Sequence, residues 1–470
     1  MLVAGSMIGS GIFIVSADMS RVVGSTGWLL FLWIISGLIT VMAALSYGEL
    51  AGMMPKAGGQ FVYIQRAYGN LVSFLYGWTV FTVIQTGVIA AVAVAFAKFT
   101  AVFFPVLSPE NILFEAGFLR VSAAQLFAIA SILVLTIINT RGIENGKKLQ
   151  TVVTSAKLLA LFALIVIGIG VGLQKDVLKQ NFTNMWDASQ VVNINGEWIR
   201  NSISGIALVL ALGTAIIGSL FSSDAWNNVT FIAGEIKEPQ RNIPRSLLLG
   251  TAIVTILYFL SNISYLSLLP ILGHPEASDV TGQGIQFAGG GTDRVGTAAA
   301  SIIFGDTAVY IMAVLIMIST FGCNNGIILS GARVYYAMAN DRLFFRKASI
   351  LNRQGVPAFA LWIQALWASV LCVSGTYGDL LDYTTFASLL FYIITIAGIF
   401  ILRRKEPDTP RPYRVFAYPI LPVLYIVIAS AICIILLITK PQNTWSGVFF
   451  VLLGVPVYYV FGLGKKRNSE

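Results

Sequence analysis

Long apolar stretches separated by short polar connections run along the whole chain of 470 residues. Most stretches reach about 20 residues, the length that a helix needs to cross the hydrocarbon core of a bilayer. The pattern therefore predicts an all-α membrane protein with twelve transmembrane helices. The predicted spans are 1–22, 28–52, 71–101, 122–140, 149–173, 203–232, 244–268, 301–339, 357–375, 380–403, 416–438 and 445–463.

Two of these stretches contain residues that disfavour a continuous helix. Gly9-Ser10-Gly11 interrupts the first, and Phe221-Ser222-Ser223-Asp224 interrupts the sixth. Non-helical backbone survives at membrane depth only where it is buried in protein or lines a cavity. Interrupted helices at matching places in two halves are typical of transporters with inverted repeats. We therefore expect one repeat in residues 1–173, a second in 203–403 and two further helices in 416–463.

The first interruption could hold both charged groups of an amino acid. If the helix opens there, N–H groups near Ser10, Gly11 and Ile12 form a positive helix end that suits a carboxylate. The carbonyl groups near Met7 suit an ammonium group. The alternative is a patch of small residues that lets two helices pack closely. These residues by themselves support the packing alternative at least as well.

Asp224 would be costly facing lipid, so we expect it to face the protein interior. It could serve the function directly, or it could be a pore-facing carboxylate paired with backbone groups. The residue pattern favours a functional role.

Composition excludes a soluble globular protein, because 57% of the residues are hydrophobic, 11% are charged and the mean hydropathy is +0.81. The net charge of +9 does not imply a nucleic-acid partner, since cytoplasmic loops of membrane proteins are rich in Lys and Arg. These residues concentrate in one set of connections. The protein is therefore expected in the plasma or inner membrane with both termini in the cytoplasm.

Candidate catalytic chemistry is sparse. Cys323, Cys372 and Cys433 are scattered over apolar spans, and the single histidine, His274, lies in a predicted loop. No metal-ligand spacing or Ser-His-Asp arrangement is present in the sequence. We expect no metal, no cofactor and no enzymatic activity.

Several motifs resemble the amino acid–polyamine–organocation superfamily and, within it, the L-type amino acid transporters. Relatives usually carry roughly two more helical turns before the glycine break, so we expect either that the start is placed late here or that the inner half of span one is truncated. The motifs are Gly9–Phe13, Gly48–Leu50, Pro55–Gly59, Phe221–Asn227, Gly234–Pro239, Arg241–Pro244, Ser319–Gly326, Arg333 and Arg411–Val415.

The resemblance implies a LeuT-type fold with a 5+5 inverted repeat and broken helices one and six. It places the substrate carboxylate on backbone N–H groups and the ammonium on carbonyl groups at the two breaks. Phe221 then looks like an aromatic gate, whereas without the motif we would interpret it as a core aromatic residue. The implied substrate-binding residues are Met7, Ser10, Gly11, Ile12, Phe221, Ser222 and Asp224.

Lys157 lies inside span five, where a lysine facing hydrocarbon is expensive and rare. Its ammonium group could replace the sodium ion that bridges spans one and eight in sodium-coupled members, and the resemblance supports this. Its expected contacts are carbonyls near Gly5 or Ser6 and the Ser319/Thr320 region. The alternative is snorkelling to the cytoplasmic surface, roughly 12 Å away along the helix.

The leading hypothesis is sodium-independent transport of L-amino acids by alternating access, in the form of an exchange of neutral amino acids. One alternative is proton-coupled or exchange transport of cationic amino acids or polyamines, favoured if Asp224 binds a cationic side chain. Another is a non-transporting amino acid sensor or channel.

Eukaryotic L-type relatives bond a partner glycoprotein through a cysteine after span three. Residues 104–120 contain no cysteine, so we expect no disulfide-linked heavy chain.

Overall fold

The computed structural model describes residues 2–116, 119–194, 196–289, 293–374 and 377–460. Within these ranges most residues are helical, as predicted, and ten helices are long and apolar enough to cross a membrane. The first predicted span is divided and the ninth is short, at 17 residues, so neither belongs to the ten. The count of twelve spans therefore remains a prediction. Predicted span twelve, 445–463, ends outside the described residues.

Ten α-helices lie between residues 2 and 222 among the described residues, and the elements are labelled in chain order. They are α1 Leu2–Met7, α2 Gly11–Val23, α3 Thr26–Met53, α4 Gln60–Tyr68, α5 Asn70–Thr79, α6 Gln85–Thr100, α7 Ala123–Thr140, α8 Ile143–Gly172, α9 Val177–Phe182 and α10 Gly205–Ser222.

The second half continues with shorter elements after α10 and long helices further on. They are α11 Asn228–Phe231, α12 Pro239–Leu268, α13 Val280–Gln283, α14 Val295–Phe304, α15 Thr307–Asn340, α16 Ala358–Ser374, α17 Tyr377–Lys405, α18 Ile420–Thr439 and α19 Pro441–Val460.

The first and sixth spans are both broken, as predicted. Helix α1 ends at Met7 and α2 begins at Gly11, while α10 ends at Ser222 and α11 begins at Asn228. Helix α1 packs against α8, α12 and α15, and α2 packs against α10. The two breaks thus lie within the helical core, where irregular backbone is tolerated.

The third span contains one turn of π-helix at Val80–Ile84, between α5 and α6. Such single-turn bulges occur frequently at functional sites. The apolar pattern continues unchanged through this turn, so the π-helix could not be predicted from it.

The predicted connections contain more structure than expected. Antiparallel hairpins form between β1 Ile112–Ala116 and β2 Leu119–Ser122, and between β3 Ser189–Ile194 and β4 Glu197–Ser202. The described part of the chain is thus mostly helical, as predicted, with these two hairpins in the connections between helices.

The predicted start of span eight was wrong. Residues 301–339 were expected to form one helix, but the chain turns at Gly305, whose φ of 65° is left-handed. Glycine adopts this conformation easily. Helix α14 therefore ends at Phe304, and α15 begins separately at Thr307.

A buried carboxylate joins the end of α3 to the end of α17. Arg403 donates to both oxygens of Glu49 at 2.9 and 2.7 Å, and the Val415 N–H donates to Glu49 at 2.8 Å. The Arg411 Nε lies 3.4 Å from the same carboxylate. Nearby, a hydrogen bond from Arg66 lowers the pKa of Glu406.

Candidate substrate site

The broken first and sixth spans meet closely. A Cβ atom added to Gly11 would overlap the Ser222 side chain, so only glycine permits this approach of α2 to α10. The Tyr258 hydroxyl, from α12, lies 3.0 Å from the Met7 carbonyl oxygen and 3.1 Å from the Ser222 carbonyl oxygen. One hydroxyl therefore bridges the carbonyl ends of α1 and α10.

The amino end of α2 presents backbone donors at the first break. Gly11 and Ile12 are the first two residues of α2, where N–H groups have no acceptor within the helix. The Phe13 N–H donates to the Ser10 carbonyl at 3.0 Å, and the Ser10 side chain does not cap the helix. This geometry can accept a carboxylate.

The carbonyl groups predicted to hold an ammonium already accept one hydrogen bond each. Tyr258 reaches the Met7 oxygen, and the Asp224 N–H donates to the Phe221 carbonyl at 3.1 Å. A carbonyl oxygen has two lone pairs, so both can accept another donor. Phe221 itself is buried at the end of α10.

Asp224 faces the protein interior, as the cost of exposing it to lipid requires. The Tyr392 hydroxyl, from α17, donates to its Oδ1 atom at 2.5 Å. Asp224 lines two adjoining cavities, one towards α6 and one towards α3 and α18. The carboxylate thus stands in the wall between them.

Lys157 is buried and donates to the carbonyls of Gly5 and Ile8, each at 2.5 Å. These contacts exclude the snorkelling alternative in this structure. The Ser319 hydroxyl lies 3.2 Å from the same Ile8 oxygen and 3.3 Å from the Gly9 oxygen. The carboxyl end of α1 is thus bound to both α8 and α15.

Thr320 does not join this group. Its hydroxyl donates to the Ile316 carbonyl at 2.8 Å, within its own helix, because it lies one residue around α15 from Ser319. The Cys323 thiol instead donates to the Ser6 carbonyl at 3.0 Å, one helical turn beyond Ser319. Of the two contacts expected on α15, Ser319 therefore lies beside the α1 carbonyls and Thr320 does not.

The cavity beside the α10–α11 break, here called the amide cavity, gathers polar side chains from several helices. The π-helical turn contributes Val80 and Ile84. The polar lining residues are Gln60, Tyr76, Gln85, Asp224, Asn227, Asn228, Ser388 and Tyr392.

Sequence reasoning missed Tyr258, Tyr392 and the amides of this cavity. A signal was present, because Tyr hydroxyls and amide groups inside apolar spans need hydrogen-bond partners. The sequence could not show which of these side chains meet, because Gln60 and Asn227, which bond to each other, are 167 residues apart. Among the described residues, no group of three or more His, Cys, Asp or Glu side chains could hold a metal ion.

The comparisons with known proteins cover nearly the whole chain. The family model described as amino acid permease matches residues 1–461. The chain is similar to the large neutral amino acids transporter small subunit 2 of Mus musculus, at 29% identity over 98% of this chain and 79% of the relative. It is also similar to the b(0,+)-type amino acid transporter 1 of Homo sapiens, at 26% identity over 98% and 86%. The chain, with its first and sixth spans broken around one site, belongs to the amino acid permease family.

Proposed function

We propose that the protein exchanges neutral L-amino acids across a membrane without sodium. The observation that carries this proposal is the buried ammonium of Lys157 between the Gly5 and Ile8 carbonyls. It supplies a fixed positive charge at the junction of α1, α8 and α15. The family match supports an amino acid substrate, and the name of the large neutral amino acids transporter of Mus musculus supports the choice of neutral ones.

The substrate contacts follow from the charges of the two breaks. The α-carboxylate binds the N–H groups of Ser10, Gly11 and Ile12, because a helix amino end favours negative charge. The α-ammonium binds the second lone pairs of the Met7 and Phe221 carbonyls. These helix ends lie at the closely packed breaks, which is the arrangement found in transporters with discontinuous helices.

We expect α1 and α2 to move during alternating access. Lys157, Ser319 and Tyr258 bind the carboxyl end of α1 and hold the inner side closed. Release of these bonds opens that side. On the opposite side Phe221 closes over the substrate, with residues 1–173 and 203–403 acting as the two inverted repeats.

A second candidate function is transport of cationic amino acids or polyamines, coupled to protons or to exchange. Asp224 favours it, because a carboxylate in a cavity wall can bind a cationic side chain. The hydrogen bond from Tyr392 and the name of the large neutral amino acids transporter favour the first candidate. A non-transporting sensor or channel has no specific observation in its support.

The test is uptake into proteoliposomes that contain the purified protein. Vesicles preloaded with an unlabelled L-amino acid should take up labelled L-alanine faster than empty vesicles, equally in sodium and in choline chloride. A sodium requirement would contradict the Lys157 argument. Equal uptake by loaded and empty vesicles would contradict exchange, and no uptake at all would favour a sensor.

We propose further that the protein resides in the plasma or inner membrane with both termini in the cytoplasm. The Lys and Arg distribution supports this orientation. The large neutral amino acids transporter of Mus musculus is named a small subunit, but residues 104–120 of this chain contain no cysteine. We therefore expect no disulfide-linked heavy chain, which non-reducing electrophoresis of protein from native membranes would check.

A further inference from the structure

The amide cavity is unusually polar for a site that receives neutral amino acids. Its walls carry Gln85 from α6, Asn228 from α11 and Ser388 from α17, beside the carboxylate of Asp224. Ligand pockets are ordinarily lined mainly by apolar side chains, with a few polar groups that set specificity. The polar groups here are therefore candidates for contact with the side chain of the substrate.

Asn228 provides the most informative of these groups. Its side chain is only 2% exposed, and its Nδ2 atom has no hydrogen-bond partner in the described part of the chain. Neighbouring amides are already engaged, since Gln85 donates to the Ile327 carbonyl at 2.7 Å and Gln60 accepts from Asn227 at 3.1 Å. A buried polar group without a partner is costly, so the Asn228 amide is suited to a ligand.

The available donors and acceptors define the ligand chemistry. The Asn228 Nδ2 has no acceptor among the described residues. The Asp224 carboxylate already accepts from Tyr392 at Oδ1, and its remaining lone pairs can accept a further donor. Both groups line the same cavity next to the α10–α11 break. A ligand that satisfies them together must carry a donor and an acceptor at one end.

We propose that this transporter selects amino acids whose side chain ends in a carboxamide. The carboxamide oxygen accepts from Asn228, and its N–H group donates to Asp224. Because a carboxamide is both donor and acceptor, it matches either orientation of the Asn228 amide. This inference rests on the proposed exchange of neutral amino acids and narrows its substrates.

Other side chains fit this cavity less well. An ammonium group pairs with Asp224 but brings its own N–H donors against the Asn228 donor. An aliphatic side chain leaves the Asn228 Nδ2 without an acceptor, and sites built for hydrogen bonding discriminate strongly against such analogues. A carboxylate would meet Asp224 as a like charge.

The experiment measures competition against labelled L-alanine in exchange-competent proteoliposomes. Unlabelled glutamine and asparagine are compared with leucine and lysine, and the two carboxamides also show which side-chain length fits. We expect the better carboxamide to compete at least about tenfold more strongly than leucine, the gain of roughly one satisfied buried hydrogen bond.

Asn228→Leu should reduce this carboxamide-to-leucine ratio to about one. Asn70→Leu is the matched control, because Asn70 is exposed at the start of α5, and it should preserve the ratio. If Asn228→Leu does not fold, Asn228→Asp removes the same donor with little change of shape. It should lower the ratio and increase competition by lysine.

Two results would overturn the inference: leucine competing as well as both carboxamides in the wild type, or an unchanged ratio in the Asn228 variants. Either leaves the proposed exchange intact, provided that labelled alanine is still exchanged. Absence of exchange with every L-amino acid would instead contradict the proposed function itself.

Discussion

Replacing Lys157 with alanine tests the bond between α1 and the rest of the protein. The variant loses the ammonium donor to the Gly5 and Ile8 carbonyls. The Ile8 oxygen still accepts from the Ser319 hydroxyl at 3.2 Å, so the Gly5 oxygen is the one left without its side-chain donor. One buried group without its partner costs about 1–3 kcal/mol.

This cost falls on the state in which α1 is docked, because an undocked α1 exposes its carbonyl groups to water. A change of about 1–3 kcal/mol corresponds to a 5- to 150-fold shift of the equilibrium towards the undocked state. We expect slower exchange, together with an apparent substrate affinity altered on the inner side of the membrane.

Cys323 reports the position of α1. Its thiol is 2% exposed and donates to the Ser6 carbonyl, so a maleimide reaches it only after α1 leaves. Labelling should be measured with Cys372 and Cys433 replaced by serine, and its rate should rise in Lys157→Ala by the factor above. Lys56→Ala, at an exposed position, is the control. Unchanged exchange and labelling in Lys157→Ala would refute the reasoning.

Three further variants test other parts of the site. Phe221→Ala should slow exchange without reducing the yield of folded protein. Replacing a core Phe with Ala would lower the free energy of unfolding by about 3–5 kcal/mol, so a loss of folded protein would identify Phe221 as a core residue instead. Tyr258→Phe removes the hydroxyl shared by the Met7 and Ser222 carbonyls; exchange should slow with little change in thermal stability, and unchanged exchange would exclude a coupling role. Glu49→Gln leaves its arginine partners without a counter-charge and should destabilise the protein by about 3–5 kcal/mol, seen as a lower unfolding temperature in detergent. An unchanged temperature would show that this ion pair is dispensable.

The sequence predicted the features that depend on local residue type. Glycine and serine in the first span and Ser-Ser-Asp in the sixth disfavour a helix wherever they occur, and both breaks are present. The interior position of Lys157 followed from the cost of exposing it to lipid. Its exact partners required the positions of α1 and α15.

Features that depend on distant contacts could not be predicted. Tyr258 lies 251 residues from Met7 in sequence, and only the packing of α12 beside α1 brings its hydroxyl to that carbonyl. The choice of Ser319 and Cys323 over Thr320 depends on the rotation of α15 about its axis. The apolar pattern could not show which of these adjacent residues faces α1, because buried residues surround α15 on most sides.

The covalent attachment of the Lys157 charge has an energetic consequence for the cell. A sodium ion that enters with its substrate delivers the energy of its gradient, including roughly 2.3 kcal/mol for each 100 mV of membrane potential. An ammonium group tethered to α8 never crosses the membrane and delivers none of this. Exchange of one neutral zwitterion for another also moves no net charge. The protein could then equalise the ratios of its substrates across the membrane, but the total amino acid concentration inside would be set by other transporters.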